Sequence, residues 1–291
     1  MANICQIGAG MIGQTMAIDL AINHNVSLGD INICSIKDKI KNNPSIKVSK
    51  IDVLNQKEIL TFIKDADIVL LAVPGFLGFN ALKTIIEYGK NVVDISFSPE
   101  NIMDLNDIAI QNNVTAIFDA GVAPGIPNYI FGYHNTFEEI TNFKYYVGGL
   151  PKFPKKPFNY KAPFSPIDVI EEYIRPARMM VNGKKITKPA LSEIERLSFN
   201  DSIELEAFNT DGLRSLLKTM AHVKNMSEKT LRYPGHAKLI KSYIEKEILQ
   251  TDVTIKKLFK EWKLKPGEHE FTILRVEMKT DNKIFGYNLY D

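Results

Sequence analysis

The hexapeptide LRYPGH, residues 231–236, sets a guanidinium, a phenol and an imidazole around a Pro-Gly pair. Arginine presents a planar fork that suits a carboxylate, and an imidazole exchanges protons near neutral pH. Pro234 and Gly235 are expected to bend the chain so that Arg232 and His236 face one cleft, with Tyr233 packed or bonded behind them. Upstream, NTDG (209–212) places Thr210 beside Asp211, a carboxylate able to receive an ammonium group. A second acid, Asp119, lies in DAGVAPG (119–125), and Ser96 and Ser98 lie in DISFSP (94–99). The serines, and Asp211 before Leu213, could equally cap a following helix. His24, His134, His222 and His269 lack such neighbours, and no histidine–carboxylate spacing points to a metal.

Side chains of this kind work only on elements that hold them, and the N-terminus announces one such scaffold. NICQIGAGMIGQTMAIDLA runs from a short apolar strand through Gly8, Gly10 and Gly13 into helix-forming residues. Strand, G-x-G-x-x-G and helix, in that order, form the context of a dinucleotide fingerprint. Gly8 allows the tight turn, Gly10 lets backbone approach a pyrophosphate, and Gly13 lets helix pack on strand. The helix start, with Met11 and Ile12, offers free N–H groups and a positive dipole end. Strand-like runs recur at 31–35, 46–51, 67–73, 90–96 and 114–120, with helix-like stretches at 57–64 and 79–88. Continuous apolar runs of this kind are the mark of buried parallel strands, here a doubly wound Rossmann sheet.

Ligands in such sheets sit beyond the carboxyl ends of the strands. That places Val73 and Pro74, in AVPG, on the cofactor side, and Ser96, Ser98 and Asp119 towards the nicotinamide and the substrate. About twenty residues after Gly13 the chain carries Ser35, followed by Lys37 and Asp38. A serine with a nearby lysine suits a 2′-phosphate, which inclines the cofactor to NADP, although Asp38 could serve NAD.

The 291 residues predict two domains, 1–125 and 126–291, rather than one. A net charge of +2 provides no basic field for nucleic acid. No apolar run is long enough to cross a bilayer, and the N-terminus lacks the pattern of a signal peptide. The two cysteines, Cys5 and Cys34, read as small buried hydrophobes. A reduced, cytoplasmic setting is expected. After Gly125 the pattern becomes α+β. NFKYYVGGLP (142–151) is a strand containing Gly149, and KFPKKPFNYKAPFSP is an ordered excursion. SPIDVIEEYIRPA is a helix that Ser165 could cap and Pro166 opens. The 177–190 stretch is a hairpin turned on Asn182-Gly183, and 269–291 forms two final antiparallel strands.

In this order, IGAGMIG, DAGVAPG, YYVGGLP, NTDGLRSLL and KTLRYPGH resemble the saccharopine dehydrogenase-like family, most closely its lysine 6-dehydrogenase branch. The resemblance implies an NAD(P)-binding Rossmann domain, a substrate and dimerisation domain, and a homodimer. It implies oxidation of the ε-amine of lysine to allysine, which cyclises to a piperideine carboxylate. Such chemistry needs a clamp for the substrate carboxylate, an acceptor for the ammonium proton, and water to attack the imine. Arg232 is expected as the clamp, with Thr210 and Gly149 on the pocket wall and Asp119, Asp211 and His236 as proton-handling candidates. Saccharopine-forming relatives tend to carry an acid where this chain has Ala123, which favours the lysine branch. Family members usually continue past the last strand with a returning helix, so a chain stopping at YNLYD is expected to be shortened or to have lost that segment. The alternatives are a saccharopine- or carboxynorspermidine-type reductase and a non-catalytic dinucleotide-binding homologue.

Overall fold

Four consecutive buried residues follow Asn3 in β1 (Asn3–Ile7), as in a central parallel strand covered on both faces. The computed structural model describes residues 1–199, 203–248, 252–265 and 267–291, and the chain divides into two units, Met1–Val122 and Ala123–Asp291. In the first unit β1 is followed by α1 (Met11–Leu20), β2 (Asn25–Asp30), a 3-10 turn (Ile33–Ser35), α2 (Asp38–Lys41), β3 (Ile46–Lys50) and α3 (Gln56–Ile63). Then come β4 (Ile68–Leu71), α4 (Gly75–Glu87), β5 (Val92–Asp94), a second 3-10 turn (Ile102–Leu105), α5 (Asn106–Gln111) and β6 (Ala116–Ile117). The six strands pair in parallel in the order β3-β2-β1-β4-β5-β6. This is the doubly wound Rossmann order, and the direction of winding reverses between β1 and β4. Two apolar clusters flank the sheet, one around Ile59, Leu71, Leu82 and Ile85 and the other around Ala17, Leu28 and Ile40.

One expected strand is displaced. The run 31–35 is not β2, which lies five residues earlier and ends at Asp30. The Asp30 carboxylate accepts the Asn32 N–H at 2.7 Å, an Asx turn that ends the strand and leads into the 3-10 turn. Cys34 consequently sits on the surface, whereas Cys5 is buried as expected.

The second unit runs α6 (Ile126–Asn135), β7 (Asn142–Pro151), α7 (Pro166–Ile174), β8 (Ala177–Val181), β9 (Lys184–Lys188), β10 (Glu195–Phe199) and β11 (Ile203–Asn209). It continues with α8 (Leu216–Thr219), β12 (Asn225–Arg232), α9 (His236–Glu245), α10 (Asp252–Trp262), β13 (Glu270–Lys279) and β14 (Ile284–Tyr290). Its mixed sheet has the order β10-β11-β12-β7-β13-β14, with the β8–β9 hairpin attached to β12. Asn182 and Gly183 take positive φ at the tip of that hairpin, the backbone a two-residue turn demands. Pro166 occupies the first turn of α7, but the Ser165 side chain makes no capping bond. Among the described residues no helix is long and apolar enough to cross a membrane.

Candidate functional site

The glycine loop lies at the switch point. Gly8 has φ +106°, and a Cβ there would lie 2.1 Å from the Ala72 carbonyl oxygen beyond β4. A Cβ on Gly13 would lie 2.3 Å from the Gly8 carbonyl oxygen, so α1 can approach the loop only without a side chain. At Gly10 a Cβ would meet nothing within 4 Å, and Met11 and Ile12 beside it are 48% and 46% exposed. No side chain caps the helix at Gly10. Open space over an uncapped helix start is what a pyrophosphate requires, so these residues fit a dinucleotide. Pro74 is the N-cap of α4, and Val73 packs against the larger of the two cores, one strand over from the loop.

Three polar side chains shape this loop without any motif announcing them. Buried Gln6, the one amide inside an apolar strand, donates its Nε2 hydrogens to the carbonyls of Gly8 and Gly13 at 3.0 and 2.6 Å. Gln14 donates to the Ala9 carbonyl and accepts the Lys37 N–H. Asp30 accepts the Ala9 N–H at 2.7 Å. Asp30, and neither Ser35 nor Lys37, occupies the end of β2. Ser35 instead donates its hydroxyl to the Asn32 carbonyl, and Lys37 precedes α2.

At the carboxyl edge of the same sheet, Asp94 ends β5 and is fully buried. Its Oδ1 accepts both the Ser96 N–H at 2.8 Å and the Ser96 hydroxyl at 2.6 Å, while Oδ2 has no hydrogen-bond partner among the described residues. Ser98 Oγ lies 3.4 Å from Ser96 Oγ. Burial pushes the Asp94 carboxyl up to about 6 against the two Ser96 bonds, and the nearby Asp119 charge adds to the rise. Asp119 holds a positive φ of 52° and is 7% exposed, and the next residue donates its N–H to the Asp94 carbonyl. Ser96 and Ser98 thus cluster at Asp94, with Asp119 close enough for its charge to act on that acid.

In the second unit the LRYPGH stretch is a strand end, a bend and a helix start. Gly235 has φ +95°, which lets the chain leave β12 and enter α9. Glu206, paired in register with Arg232 from β11, caps that helix by accepting the N–H groups of Gly235 and Ala237 at 2.9 and 2.6 Å. Arg232 and His236 do meet, but through Tyr173 of α7 and inside the core. Arg232 donates to the Tyr173 hydroxyl at 3.0 Å, to the Leu231 carbonyl and to Glu172, with the Tyr160 ring beneath its guanidinium. The His236 Nδ1–H faces the Phe158 carbonyl at 2.8 Å, which leaves Nε2 to accept the Tyr173 O–H at 2.9 Å. Burial pushes the imidazole down to about 3, the Arg232 charge adds to the drop, and the Phe158 carbonyl opposes it.

Both ring nitrogens of His236 are thus engaged, and the proton-accepting role expected of it has no free nitrogen to use in this geometry. Arg232, expected as a carboxylate clamp, is 2% exposed and already paired. Tyr233 donates to the Pro151 carbonyl, bonded behind the bend. Asp211, expected to meet an ammonium, is held by Arg178 through Nε at 2.8 Å and Nη2 at 2.6 Å, with Arg214 at 3.6 Å. Thr210 bonds Glu228 and Thr230, and Glu228 also accepts the Gly212 N–H. Burial pushes Glu228 up to about 8 against the Thr210 bond, with Glu172 adding to the rise. Gly149 lies under Pro163, whose Cγ would be 2.5 Å from a Cβ there. Tyr173, Glu206 and Glu228 carried no local signal, because their partners lie far off in the chain.

A six-stranded doubly wound sheet with a glycine loop at its switch point defines a dinucleotide-binding class of protein. Residues 4–117 match the family described as saccharopine dehydrogenase NADP binding domain, and residues 121–290 match the saccharopine dehydrogenase C-terminal domain. The chain belongs to the saccharopine dehydrogenase family. It is 24% identical over 275 residues to the saccharopine dehydrogenase (NADP(+), L-glutamate-forming) of Saccharomyces cerevisiae, covering 86% of this chain and 59% of that one. With the mitochondrial alpha-aminoadipic semialdehyde synthase of Mus musculus it shares 22% identity over 203 residues, 65% of this chain and 22% of the synthase. The chain thus spans only part of the length of these relatives. The structure of apo saccharopine dehydrogenase (L-Glu forming) from Saccharomyces cerevisiae has the same fold, with a TM-score of 0.77 at 17% identity over 100% of this chain and 85% of that one.

Proposed function

We propose that the chain is a nicotinamide-dependent oxidoreductase that oxidises an amino acid's side-chain amine, the ε-amine of L-lysine being the best-supported substrate. The observation that carries this reading is the carboxylate pair Asp94 and Asp119, at the carboxyl edge of the sheet whose switch point holds the glycine loop. Family membership supports the reaction class. An ammonium must lose a proton before its carbon can give up a hydride, and a carboxylate is suited to take it. Asp119, at the rim of the cluster, takes that proton. Asp94, with its carboxyl raised to about 6, holds the Ser96 hydroxyl and places a second charge behind the site. The dinucleotide, when bound, supplies the hydride acceptor. Water then adds to the imine carbon and ammonia leaves, giving the aldehyde, which closes on the α-amine.

The second reading is saccharopine-type chemistry, an amine joined reductively to a carbonyl compound or the reverse cleavage. The yeast relative's name, L-glutamate-forming saccharopine dehydrogenase, gives that protein the cleavage direction. Against the second reading stands Ala123, where an acid is expected in saccharopine-forming members. The lysine-rich PKFPKKP loop (151–157) is the feature that could support that reading, and of its lysines Lys155 pairs with Glu268 at 3.1 Å. Incubation with L-lysine and NAD or NADP, followed by reduced-nicotinamide absorbance, tests the proposal. Turnover of saccharopine but not lysine would replace the first reading with the second. A dinucleotide that binds without turnover of either would leave a non-catalytic binder.

A further inference from the structure

Asp30 is the last residue of β2, half-buried, and its carboxylate lies one hydrogen bond from the residue between Gly8 and Gly10. A pyrophosphate over Gly10 and the start of α1 would carry its adenine ribose towards this position. An ionised carboxylate accepts about four hydrogen bonds. Two are taken, by Ala9 N–H on Oδ2 and Asn32 N–H on Oδ1, each at 2.7 Å. The two acceptor positions left match the two hydroxyls of an unphosphorylated ribose. A 2′-phosphate would instead bring about two negative charges against a carboxylate.

The cations nearest this position are lysines. Residues 1–122 contain no arginine, the fork-shaped partner a 2′-phosphate commonly uses. The five residues after Asp30 are Ile, Asn, Ile, Cys and Ser, none of them charged. Lys37 and Lys39 line a cleft with Gln14, Thr15, Ile18, Asp19 and Ile22 along α1, where the Lys37 backbone N–H is bonded to Gln14. Lys50 stands across from Asp30 in register, and its backbone belongs to β3. The Ser35 hydroxyl has given its hydrogen to the Asn32 carbonyl.

We infer that Asp30 is the specificity-determining residue for the dinucleotide, and that this chain binds NAD in preference to NADP although its domain family is described as NADP-binding. The inference rests on the dinucleotide-binding reading proposed above. Isothermal titration of the full chain with NAD and with NADP, in the absence of substrate, tests it. NAD should bind tighter by about tenfold or more, the scale on which like charges discriminate between partners. Asp30→Asn keeps an oxygen for the Ala9 N–H and should weaken NAD while narrowing the gap. Adding Ile31→Arg, at a residue 59% exposed, should turn the preference towards NADP. Equal or tighter binding of NADP by the unaltered chain would overturn the inference and leave the dinucleotide reading intact. Equal loss of both dinucleotides in Asp30→Asn would assign Asp30 to loop structure alone and also overturn it. Heat released by neither dinucleotide would overturn both.

Discussion

Glu228→Gln isolates the protonation of one buried acid from everything else that titrates in the second unit. Glu228 is 3% exposed and bonded to Thr210 and to the Gly212 N–H, and its carboxyl is raised from 4.5 to about 8, first by burial. A carboxyl whose folded-state pKa lies above its unfolded value gives stability that is whole below pH 4.5 and is lost as pH rises through 8. At about 1.4 kcal/mol per pH unit, the wild type should lose about 2 kcal/mol from this group between pH 6 and pH 8. Glutamine keeps an acceptor for Gly212 and a donor for Thr210 and carries no proton to lose, so its stability should lack that component. For a unit of this size the difference corresponds to about 4–8 °C in Tm. Calorimetry of both proteins at pH 6, 7 and 8 reads it directly. Glu172, also raised by burial, titrates in both proteins. A gap between wild type and Glu228→Gln that stayed constant across this range would refute a protonated Glu228.

Three other outcomes follow from the same geometry. Gly13→Ala sets a methyl 2.3 Å from the Gly8 carbonyl oxygen, and dinucleotide-induced stabilisation, read by thermal shift, should disappear. Tyr173→Phe leaves the Arg232 Nε–H and His236 Nε2 without their shared partner in the core, a cost of about 2–4 kcal/mol measurable by urea denaturation. Asp119→Asn should lower kcat by about a hundredfold with dinucleotide affinity unchanged; a kcat within a few-fold of wild type would remove Asp119 as the proton acceptor.

Features that depend on neighbours in the chain could be read before any coordinates. The glycine loop, the Asn182-Gly183 hairpin and the bend at Gly235 are each set by a few adjacent residues and the backbone they permit. Apolar runs likewise announced the parallel sheet, since strands buried on both faces have no polar phase. The register of β2 was not legible, because five residues either way offer similarly apolar runs and only the Asx turn at Asp30 ends the strand. Nor could spacing show how the polar candidates are spent. Arg178 meets Asp211 across 33 residues, Tyr173 meets His236 across 63, and Glu206 reaches Gly235 from the adjoining strand. Residue type says which side chains can bond. Which ones do depends on strand register and helix packing, since a buried donor or acceptor takes the nearest partner the fold supplies. Arg232 and His236 thus share Tyr173 in the core rather than face a cleft, whereas the edge of the parallel sheet holds the acids carried into the proposed chemistry.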